Sequence, residues 1–423
     1  LAFAIGTQHR RTPHKNLLTY ITTSTQPNMC RCIIKYFCYF VLVVLALVTS
    51  LIAWSSTKEV PEGHMFATLI PLMQGSLPQT IFGRYVTPLT PPVPADLKTM
   101  PRPNNEQFIV LQGTNDKMPA NGLGMCCRAS AYDDESVRRS VLWYLLQGGR
   151  HIDTAHLYLN HKPIGVAIQQ AIARGVPRSE IFIVTKIFDR AYAQGKEHID
   201  QLLLQYAKDL QIDYIDLILI HIPKAFVPVP FFHPTMGVTG EEWKEARIEA
   251  WKTLALAKNR GIVRNIGVSN YDLGHLKELV ELDIAPIACN QMMMSPFAPS
   301  FAFDIANFCK ENNIAVVAHT PLGGMEKDNA LAHKTINAIK DGDAAFKTSS
   351  QVLLKWALQK GYAVIPGSGN PNHQASNMNI YSAALSDEDM NALDALHDGD
   401  FFYMDTRDNK EDVDVASNSK KEM

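Results

Sequence analysis

The chain has 423 residues, and its 40 basic and 42 acidic side chains leave a formal charge of −2. A hydrophobic fraction of 46% with 19% charged residues allows a sizeable core and excludes a disordered chain, a collagen or a highly charged coiled coil. The near-neutral balance disfavours a dedicated nucleic-acid binder, which needs a basic excess to neutralise phosphates.

The first sixty residues differ from the rest because they are basic and contain a long apolar run. Residues 36–54, YFCYFVLVVLALVTSLIAW, contain no charge and no proline. As a helix they would extend about 28 Å, close to the roughly 30 Å hydrocarbon core of a bilayer. Aromatic residues at both ends suit the two membrane interfaces. We therefore predict a transmembrane or signal segment at 36–54, after a basic segment at 1–35, rather than a buried core helix.

The sequence leaves two roles open for this segment. Met29, taken as a start, would give a short basic region before the apolar run, as in a secretory signal, and Ser55 suits cleavage. The run is longer than a usual signal core, however, which favours a retained single-pass anchor. Basic residues before it would place that side in the cytosol and the rest in a lumen. The absence of any N-x-[ST] sequon argues weakly against a lumen.

A proline-rich stretch separates the apolar run from the rest of the chain. Residues 86–103, VTPLTPPVPADLKTMPRP, favour neither a helix nor a central strand because proline lacks a backbone donor. We predict residues 55–107 to be an extended linker. The tail from Gly399 has seven acidic and four basic residues, and we predict a disordered acidic segment at 406–423. The folded domain is expected at 108–405.

Short β-branched runs alternate with amphipathic stretches in this domain. Strands are predicted at 118–125, 151–155, 181–187, 214–221, 262–270, 285–291, 314–321 and 362–368. Apolar residues spaced three and four apart predict helices between them. The last predicted helix, 386–396, begins with Ser386 and Asp389 in capping-box spacing. Eight strand–helix repeats over roughly 300 residues indicate an α/β fold of the (β/α)8 TIM barrel class, with an open doubly wound sheet as the alternative.

Two kinds of cofactor site find no support in the sequence. No G-x-G-x-x-G follows a predicted strand, which argues against a Rossmann unit. The seven cysteines lack the spacing of zinc ligands: Cys126 and Cys127 are adjacent, whereas Cys289 and Cys309 stand alone. We expect reduced thiols and no metal site.

Polar side chains stand at the predicted carboxyl ends of the strands, where a barrel carries its chemistry. These residues are Asp153, Thr154, Lys186, His221, Ser269, Asn270, Gln291, His319, Gly367 and Ser368. Lys186 and Asp153 follow apolar runs, where isolated charges are costly to bury, so we expect them to pair across neighbouring strands.

Tyr158, five residues after Asp153, would lie over the same cavity. An adjacent ammonium lowers the pKa of a phenol, so Lys186 is expected to make Tyr158 a better proton donor. His221 would orient a carbonyl oxygen, which completes a site for adding hydride to a carbonyl. Each residue also has a structural interpretation: a helix cap, a salt bridge or a core histidine. Their recurrence at one face of the barrel favours the catalytic interpretation.

Blocks of the sequence resemble the aldo-keto reductase family in order along the chain. They include GGRHIDTAHLYLN (148–160), IFIVTKI (181–187), LQIDYIDLILIHIP (210–223), NIGVSNYDLGHLKELVE (265–281) and VIPGSGNPNH (364–373). The resemblance runs from about Phe108 to Tyr403. It implies a (β/α)8 barrel that binds NADP(H) without a Rossmann fold. It also implies a catalytic tetrad of Asp153, Tyr158, Lys186 and His221, with Tyr158 as the general acid.

The resemblance further implies a set of cofactor-binding residues. These are Ser269, Asn270, Gln291, His319, Ser368, Asn370, His373 and Asn377. His319 replaces the aromatic residue that usually stacks on nicotinamide. Gly367 and His373 replace the Lys and Arg that usually grip the 2′-phosphate. Because two full charges are lost, NADP(H) is favoured but NAD(H) stays possible.

The substrate side departs further from the family. Family members often have Trp at the positions of Cys126 and Ile222, so the base of the pocket is expected to be less aromatic. Phe231 and Phe232, in a loop after His221, would rebuild an apolar rim, or else pack that loop on the barrel.

The sequence thus predicts an NADP(H)-dependent oxidoreductase that reduces an aldehyde or ketone to an alcohol. Its expected partners are a small-molecule carbonyl substrate and a membrane contacted through residues 36–54, with no nucleic acid. A membrane-attached nicotinamide sensor with little turnover is the alternative, and the complete tetrad favours the enzyme. A hydrolase is disfavoured because neither a metal cluster nor paired carboxylates lie at the predicted strand ends.

Overall fold

A computed structural model of the chain describes residues 89–224, 240–324 and 327–397, and residue 406. The apolar run at 36–54, and Phe231 and Phe232, lie outside the described residues. Among the residues described, no helix is both long enough and apolar enough to cross a bilayer.

Ten strands lie in the described part of the chain, and eight of them form one parallel sheet. The strands are β1 (Phe108–Val110), β2 (Lys117–Pro119), β3 (Leu123–Gly124), β4 (His151–Asp153), β5 (Phe182–Ile187), β6 (Ile215–Ile220), β7 (Val263–Ser269), β8 (Cys289–Met293), β9 (Ala315–His319) and β10 (Ala363–Val364). β1 and β2 form an antiparallel hairpin. From β3 to β10, each strand lies parallel to the next one along the chain, which is the topology of a (β/α)8 barrel.

Backbone hydrogen bonds join the two outer strands of this sheet. The Gly122 N–H donates to the Val364 carbonyl, and the Val364 N–H donates to the Ala120 carbonyl. Two residues further along, the Gly124 N–H donates to the Pro366 carbonyl. The sheet therefore curls until its edges meet. The predicted barrel is confirmed, and an open doubly wound sheet is excluded.

Helices follow the strands and cover the outside of the sheet. They are α1 (Asp134–Leu146), α2 (His161–Ala173), α3 (Asp189–Tyr192), α4 (Lys196–Leu210), α5 (Gly240–Asn259), α6 (Leu273–Leu282), α7 (Ser300–Glu311), α8 (Lys327–Ala332), α9 (Lys334–Gly342), α10 (Ser349–Gln359), α11 (Pro371–Met378) and α12 (Asp387–Asp394). α12 begins at the predicted capping box, because the Asp389 N–H donates to Ser386 Oγ and the Asp389 carboxylate accepts from the Ser386 N–H.

The inside of the barrel is filled by alternate residues of its strands. Val184 and Leu217 belong to this inner cluster, together with Leu111 and Met118 of the β1–β2 hairpin. The hairpin therefore closes the amino end of the barrel. This corrects the predicted strand at 118–125, because residues 117–119 pair with β1 and only β3 belongs to the barrel sheet.

The described part of the predicted linker, residues 89–107, contains no helix or strand and lies against α1. Trp143 Nε1 donates to the Pro91 carbonyl at 3.1 Å. The Met100 N–H donates to the Leu146 carbonyl at the end of the same helix, at 2.7 Å. These contacts hold the stretch along the barrel surface.

Candidate active site

The centre of the site is a buried ion pair between two neighbouring strands. Asp153, at the end of β4, pairs with Val184 of β5 in parallel register. Side chains alternate along a strand, so Lys186 faces the barrel interior as Val184 does. Lys186 Nζ donates to Asp153 Oδ1 at 2.5 Å and to the Thr154 carbonyl at 3.0 Å. The expected pairing across neighbouring strands is present.

Both oxygens of the Asp153 carboxylate accept hydrogen bonds. Gln291, on β8, reaches across the barrel, and its Nε2 donates to Asp153 Oδ2 at 2.6 Å. Lys186 is fully buried. Burial lowers the Lys186 pKa, and the negative charge of Asp153 opposes that shift. Because a buried charge is tolerated only when it is paired and hydrogen-bonded, this network fixes the ammonium group at one point in the barrel mouth.

Tyr158 lies over the ion pair, at the end of a short 3-10 turn (His156–Tyr158) that follows β4. Its hydroxyl oxygen is 3.5 Å from Lys186 Nζ. Burial of the phenol, and then the negative charge of Asp153, raises the Tyr158 pKa well above its ordinary value. We had expected Lys186 to lower this pKa, but the ammonium group lies closer to Asp153, which compensates its charge. Tyr158 is therefore a protonated phenol.

His221 follows β6 and faces the ring of Tyr158 edge-on, with ring centroids 5.7 Å apart. Burial, followed by the positive charge of Lys186, lowers the His221 pKa well below its ordinary value. The imidazole is therefore neutral. Its Nδ1 is buried and has no hydrogen-bond partner among the described residues. A neutral imidazole carries one N–H, which can hold a carbonyl oxygen beside the Tyr158 hydroxyl.

Asn270 and His319 support His221 from the following strands. Asn270 has a φ of 58°, a conformation that Asn adopts more readily than most residues. Its Nδ2 donates to the His221 carbonyl at 3.0 Å and to Ser269 Oγ at 3.1 Å. Its Oδ1 lies 2.8 Å from His319 Nε2. Burial and the charge of Lys186 lower the His319 pKa to about 3, so this second imidazole is also neutral.

Most of the residues predicted for chemistry and nicotinamide binding thus come together at one end of the barrel. The group joined by direct contacts comprises Asp153, Tyr158, Lys186, His221, Ser269, Asn270, Gln291 and His319. Ile222, predicted for the substrate pocket, is buried next to His221, and its carbonyl accepts from the Tyr192 hydroxyl at 3.0 Å.

The other predicted cofactor residues lie in the loop after β10 and on α11. Asn370 is the N-cap of α11, where its side chain accepts a backbone N–H. Ser368 and Asn377 are buried, whereas His373 is exposed on the helix. Hydroxyl and amide groups are therefore present in this region. Neither Gly367 nor the exposed His373 supplies a fixed positive charge there.

A cation that sequence reasoning missed lies beside this loop. Arg128, which follows β3, is 4% exposed. Its Nη1 donates to the Gly124 carbonyl at 2.5 Å, and its Nε donates to Ser130 Oγ at 3.1 Å. A Cβ atom placed on Gly367 would stand 2.8 Å from Arg128 Nη1. The guanidinium group therefore occupies the space into which a longer side chain at position 367 would project.

Two further polar residues that the sequence did not reveal support the site. Asn160 accepts a hydrogen bond from Thr154 Oγ1 at 2.6 Å and donates to the Met125 carbonyl at 2.9 Å, linking the loops after β3 and β4. Thr406 is buried and donates to the Asn270 carbonyl at 2.7 Å. Thr406 belongs to the segment predicted as an acidic tail, and no sequence pattern marks a single residue that returns to the barrel.

Cys126, the other residue predicted for the substrate pocket, is half-buried shortly after β3, and its sulfur atom lies against that of Cys127. Cys289 and Cys309 are free and buried. In the described residues, no group of three or more His, Cys, Asp or Glu side chains is placed to hold a metal ion.

Comparisons with known proteins agree with this geometry. The profile of the Aldo/keto reductase family matches residues 121–398. The chain is 31% identical to 9,11-endoperoxide prostaglandin H2 reductase of Trypanosoma cruzi over 283 residues, which cover 67% of this chain and 89% of that protein. The structure of MGS-M4, an aldo-keto reductase from a deep-sea metagenome library, has a TM-score of 0.61 at 27% identity and covers 72% of this chain and 100% of its own. A Bombyx mori aldo-keto reductase in complex with NADP gives a TM-score of 0.60 at 26% identity over 71% of this chain and 94% of that one.

Proposed function

Since the chain belongs to the aldo-keto reductase family, we propose that it reduces an aldehyde or ketone to an alcohol with NADP(H). The observation that carries the proposal is the placement of three groups around one point. The Tyr158 hydroxyl lies 3.5 Å from the buried Lys186 ammonium, and the neutral His221 ring faces Tyr158. This arrangement suits a carbonyl oxygen that gains negative charge and then a proton.

Each residue of this group has a distinct part in the proposed reaction. His221 holds the carbonyl oxygen, and Tyr158 donates its phenolic proton as negative charge develops on that oxygen. The Lys186 ammonium then stabilises the phenolate that is left. Asp153 keeps Lys186 charged and in place through the bond at 2.5 Å. Because the Tyr158 pKa is raised, the phenol is protonated at neutral pH and is available as the proton donor.

A nicotinamide cofactor would supply the hydride. Asn270 and Gln291, with Ser269, offer amide and hydroxyl groups at the barrel mouth for its carboxamide, which fixes the face of the ring presented to the substrate. His319 would lie against the ring. These residues fit a nicotinamide ring. The low pKa of His319 leaves its imidazole uncharged, so it does not repel the nicotinamide ring, which is cationic when oxidised.

We further propose that NADP(H) is the preferred cofactor and that Arg128 binds one of its phosphates. The guanidinium lies beside Gly367, at the position where family members carry a phosphate-binding cation. Ser130 Oγ, 3.1 Å from Arg128 Nε, adds a hydroxyl group. A guanidinium can offer two parallel N–H donors to phosphate, and such charge-assisted bonds are about twice as strong as neutral ones. The complex of the Bombyx mori relative with NADP supports the same cofactor class.

The test is the loss of NADPH absorbance on a panel of aromatic and medium-chain aldehydes, with the full chain purified in detergent and NADH run in parallel. Tyr158→Phe should lower kcat by about 10²- to 10⁴-fold, because it removes the general acid, while NADPH still binds. Tyr144→Phe is the matched control, since its hydroxyl donates to the Asn121 carbonyl at 3.1 Å outside this site. Wild-type turnover by Tyr158→Phe would disprove the assignment.

We also propose that residues 36–54 attach the chain to a membrane, with the barrel on the lumenal side. The support is the uncharged run itself and the basic residues that precede it. The full chain should float with vesicles, whereas a chain that begins at residue 61 should not, and protease should spare the barrel in sealed microsomes. A full chain that stays out of the membrane fraction contradicts the proposal. The sensor alternative draws no support from the comparisons.

A further inference from the structure

A short segment that precedes the barrel is bound along one face of α1. We call residues 89–91 the strap. The Leu89 N–H donates to Ser136 Oγ at 2.8 Å, and Arg139 Nη1 donates to the Thr90 carbonyl at 3.1 Å. The helix residues that bind the strap are spaced three and four apart and share one face of α1: Ser136, Arg139 and Trp143.

The same helix also holds the loop that follows β10, residues 365–370. Ser140, one turn after Ser136, donates from Oγ to the Ser368 carbonyl at 3.0 Å. Gln374 of α11 donates from Nε2 to the same carbonyl at 2.9 Å and to Ser140 Oγ at 3.0 Å. The strap and the loop proposed to bind phosphate are therefore neighbours on α1.

Thr90 joins the strap to this loop directly, and its side chain is fully buried. A Cβ atom placed on Gly369 would stand 3.0 Å from Thr90 Oγ1 and would overlap Ser130 Oγ. A glycine at this position allows the close approach. Because the Ser130 hydroxyl lies 3.1 Å from Arg128 Nε, Thr90 lies where the strap, the loop after β10 and the segment that carries Arg128 meet.

The contact made by Thr90 depends on the shape of its side chain rather than on its hydroxyl. Thr90 Oγ1 is buried and has no hydrogen-bond partner among the described residues. Such a hydroxyl lowers stability, and an apolar group of the same shape can replace it. The strap itself is held on α1 through its backbone groups. The Thr90 side chain therefore supplies volume against Gly369.

We propose that Thr90 is a positioning residue for the phosphate end of the cofactor site, and that docking of the strap and binding of NADPH stabilise each other. This inference rests on the proposed function, because it takes the surroundings of Gly367 and Arg128 as the place where a cofactor phosphate binds. With the strap docked, Thr90 limits the movement of Gly369 and keeps Asn370 in place at the start of α11. Since coupling between two sites is reciprocal, bound NADPH holds the strap on α1 by the same factor.

The first experiment needs no cofactor. The Asn370 N–H donates to a hydroxyl of its own loop at 3.1 Å, so its hydrogen–deuterium exchange reports opening of that loop. In the full chain, Thr90→Ala should speed this exchange by about threefold or more, because it removes the side-chain volume against the loop. Thr90→Val, which keeps the volume, should not. Equal exchange in the wild type and Thr90→Ala overturns the positioning role.

Thr99→Ala is the matched control for this experiment. Thr99 lies in the same stretch before the barrel, but its Oγ1 donates to the Arg174 carbonyl at 2.7 Å, at the end of α2. The variant loses a hydrogen bond of this stretch without touching the loop after β10. It should leave the exchange at Asn370 unchanged, which separates positioning of the loop from a general loss of stability.

The second experiment measures the coupling with NADPH as the ligand. Thr90→Ala should raise the Kd of NADPH by about 5- to 10-fold, at the low end of coupling between sites, while Thr90→Val and Thr99→Ala bind it as the wild type does. Added NADPH should also slow exchange of the Leu89 N–H in the wild-type chain. A Thr90→Val variant that binds as weakly as Thr90→Ala, or an unchanged exchange at Leu89, overturns the proposal. If the wild-type chain binds no NADPH, the proposed function fails instead, and the exchange at Asn370 without cofactor still decides whether Thr90 holds the loop.

Discussion

The two ends of the candidate site would use their positive charges differently in the proposed function. At the catalytic end, Lys186 is bonded to the Asp153 carboxylate inside the barrel. At the proposed phosphate end, Arg128 lies beside Gly367 and donates to the Gly124 carbonyl and the Ser130 hydroxyl. A catalytic ammonium must keep one position throughout the reaction, so its charge is balanced within the protein. In the proposed function, Arg128 instead binds a phosphate of the cofactor and so acts on a ligand rather than on a residue of the chain.

The largest expected effect is at the catalytic end. Lys186→Met leaves Asp153 buried without its cation, which should lower the free energy of unfolding by about 3–5 kcal/mol. It should also lower kcat by about 10²-fold or more, because the phenolate of Tyr158 loses its neighbouring charge. The double variant Lys186→Met/Asp153→Asn should recover most of the stability and none of the activity. Denaturant unfolding and NADPH turnover measure the two effects separately.

A lysine in an exposed ion pair is the control for the stability loss of Lys186→Met. Lys196 pairs with Asp200 at 3.0 Å, and its side chain is 40% exposed. Lys196→Met should cost less than about 1 kcal/mol, since exposed ion pairs contribute little. If Lys186→Met and Lys196→Met lowered the free energy of unfolding equally, the Asp153 carboxylate would not depend on Lys186 for compensation of its buried charge.

The sequence predicts the catalytic end better than the phosphate end for a physical reason. Asp153 and Lys186 come at the ends of apolar strands, so parallel pairing of neighbours is enough to bring them together. Arg128 meets the Gly367 loop only because the first and last strands of the barrel join, and no local pattern reports that closure. The β1–β2 hairpin was not predicted for a similar reason. Each of its strands has only three residues, which is too short for an alternating apolar pattern to be visible in the sequence.

The second prediction tests the cation at the phosphate end. Arg128→Met should raise the Kd of NADPH by about 10- to 100-fold, the value of one charge-assisted contact. If the guanidinium contacts the 2′-phosphate, the Kd of NADH should change far less. If it contacts the pyrophosphate, both should rise together. Fluorescence titration of the full chain measures both constants.

Arg264→Met is the control for this experiment, because Arg264 pairs with Asp116 near the amino end of β7 and its side chain is 48% exposed. It should leave both constants unchanged. An Arg128→Met variant that binds both cofactors as the wild type does would show that Arg128 does not contact the cofactor.

The third prediction concerns the pH dependence of stability that arises from one buried histidine beside the strand of Lys186. His161, whose Nε2 lies 2.8 Å from Thr185 Oγ1, is buried next to the strand of Lys186. Burial lowers its pKa to about 3, below the value of about 6.5 in an unfolded chain. The unfolded state therefore takes up the proton first as pH falls, and stability is lost from about pH 6.5 downward. Between pH 7 and pH 5 this histidine should cost about 2 kcal/mol.

His161→Gln should remove that loss, so the difference between the unfolding free energies at pH 7 and pH 5 should shrink by about 2 kcal/mol. His373→Gln, at an exposed position, is the matched control and should leave the difference unchanged. A His161→Gln variant with the pH dependence of the wild type would show that the acid sensitivity arises elsewhere.

The smallest expected effect distinguishes two sources of charge at the phosphate end. His373 replaces a family arginine but is exposed on α11, where a single charge contributes less than about 1 kcal/mol. His373→Ala should therefore raise the Kd of NADPH by less than about fivefold, well below the effect of Arg128→Met. His373→Arg should tighten NADPH more than NADH if the 2′-phosphate lies within its reach. If His373→Ala weakened NADPH binding more than Arg128→Met does, His373 would be the principal phosphate contact. The phosphate would then lie at α11 rather than beside Gly367.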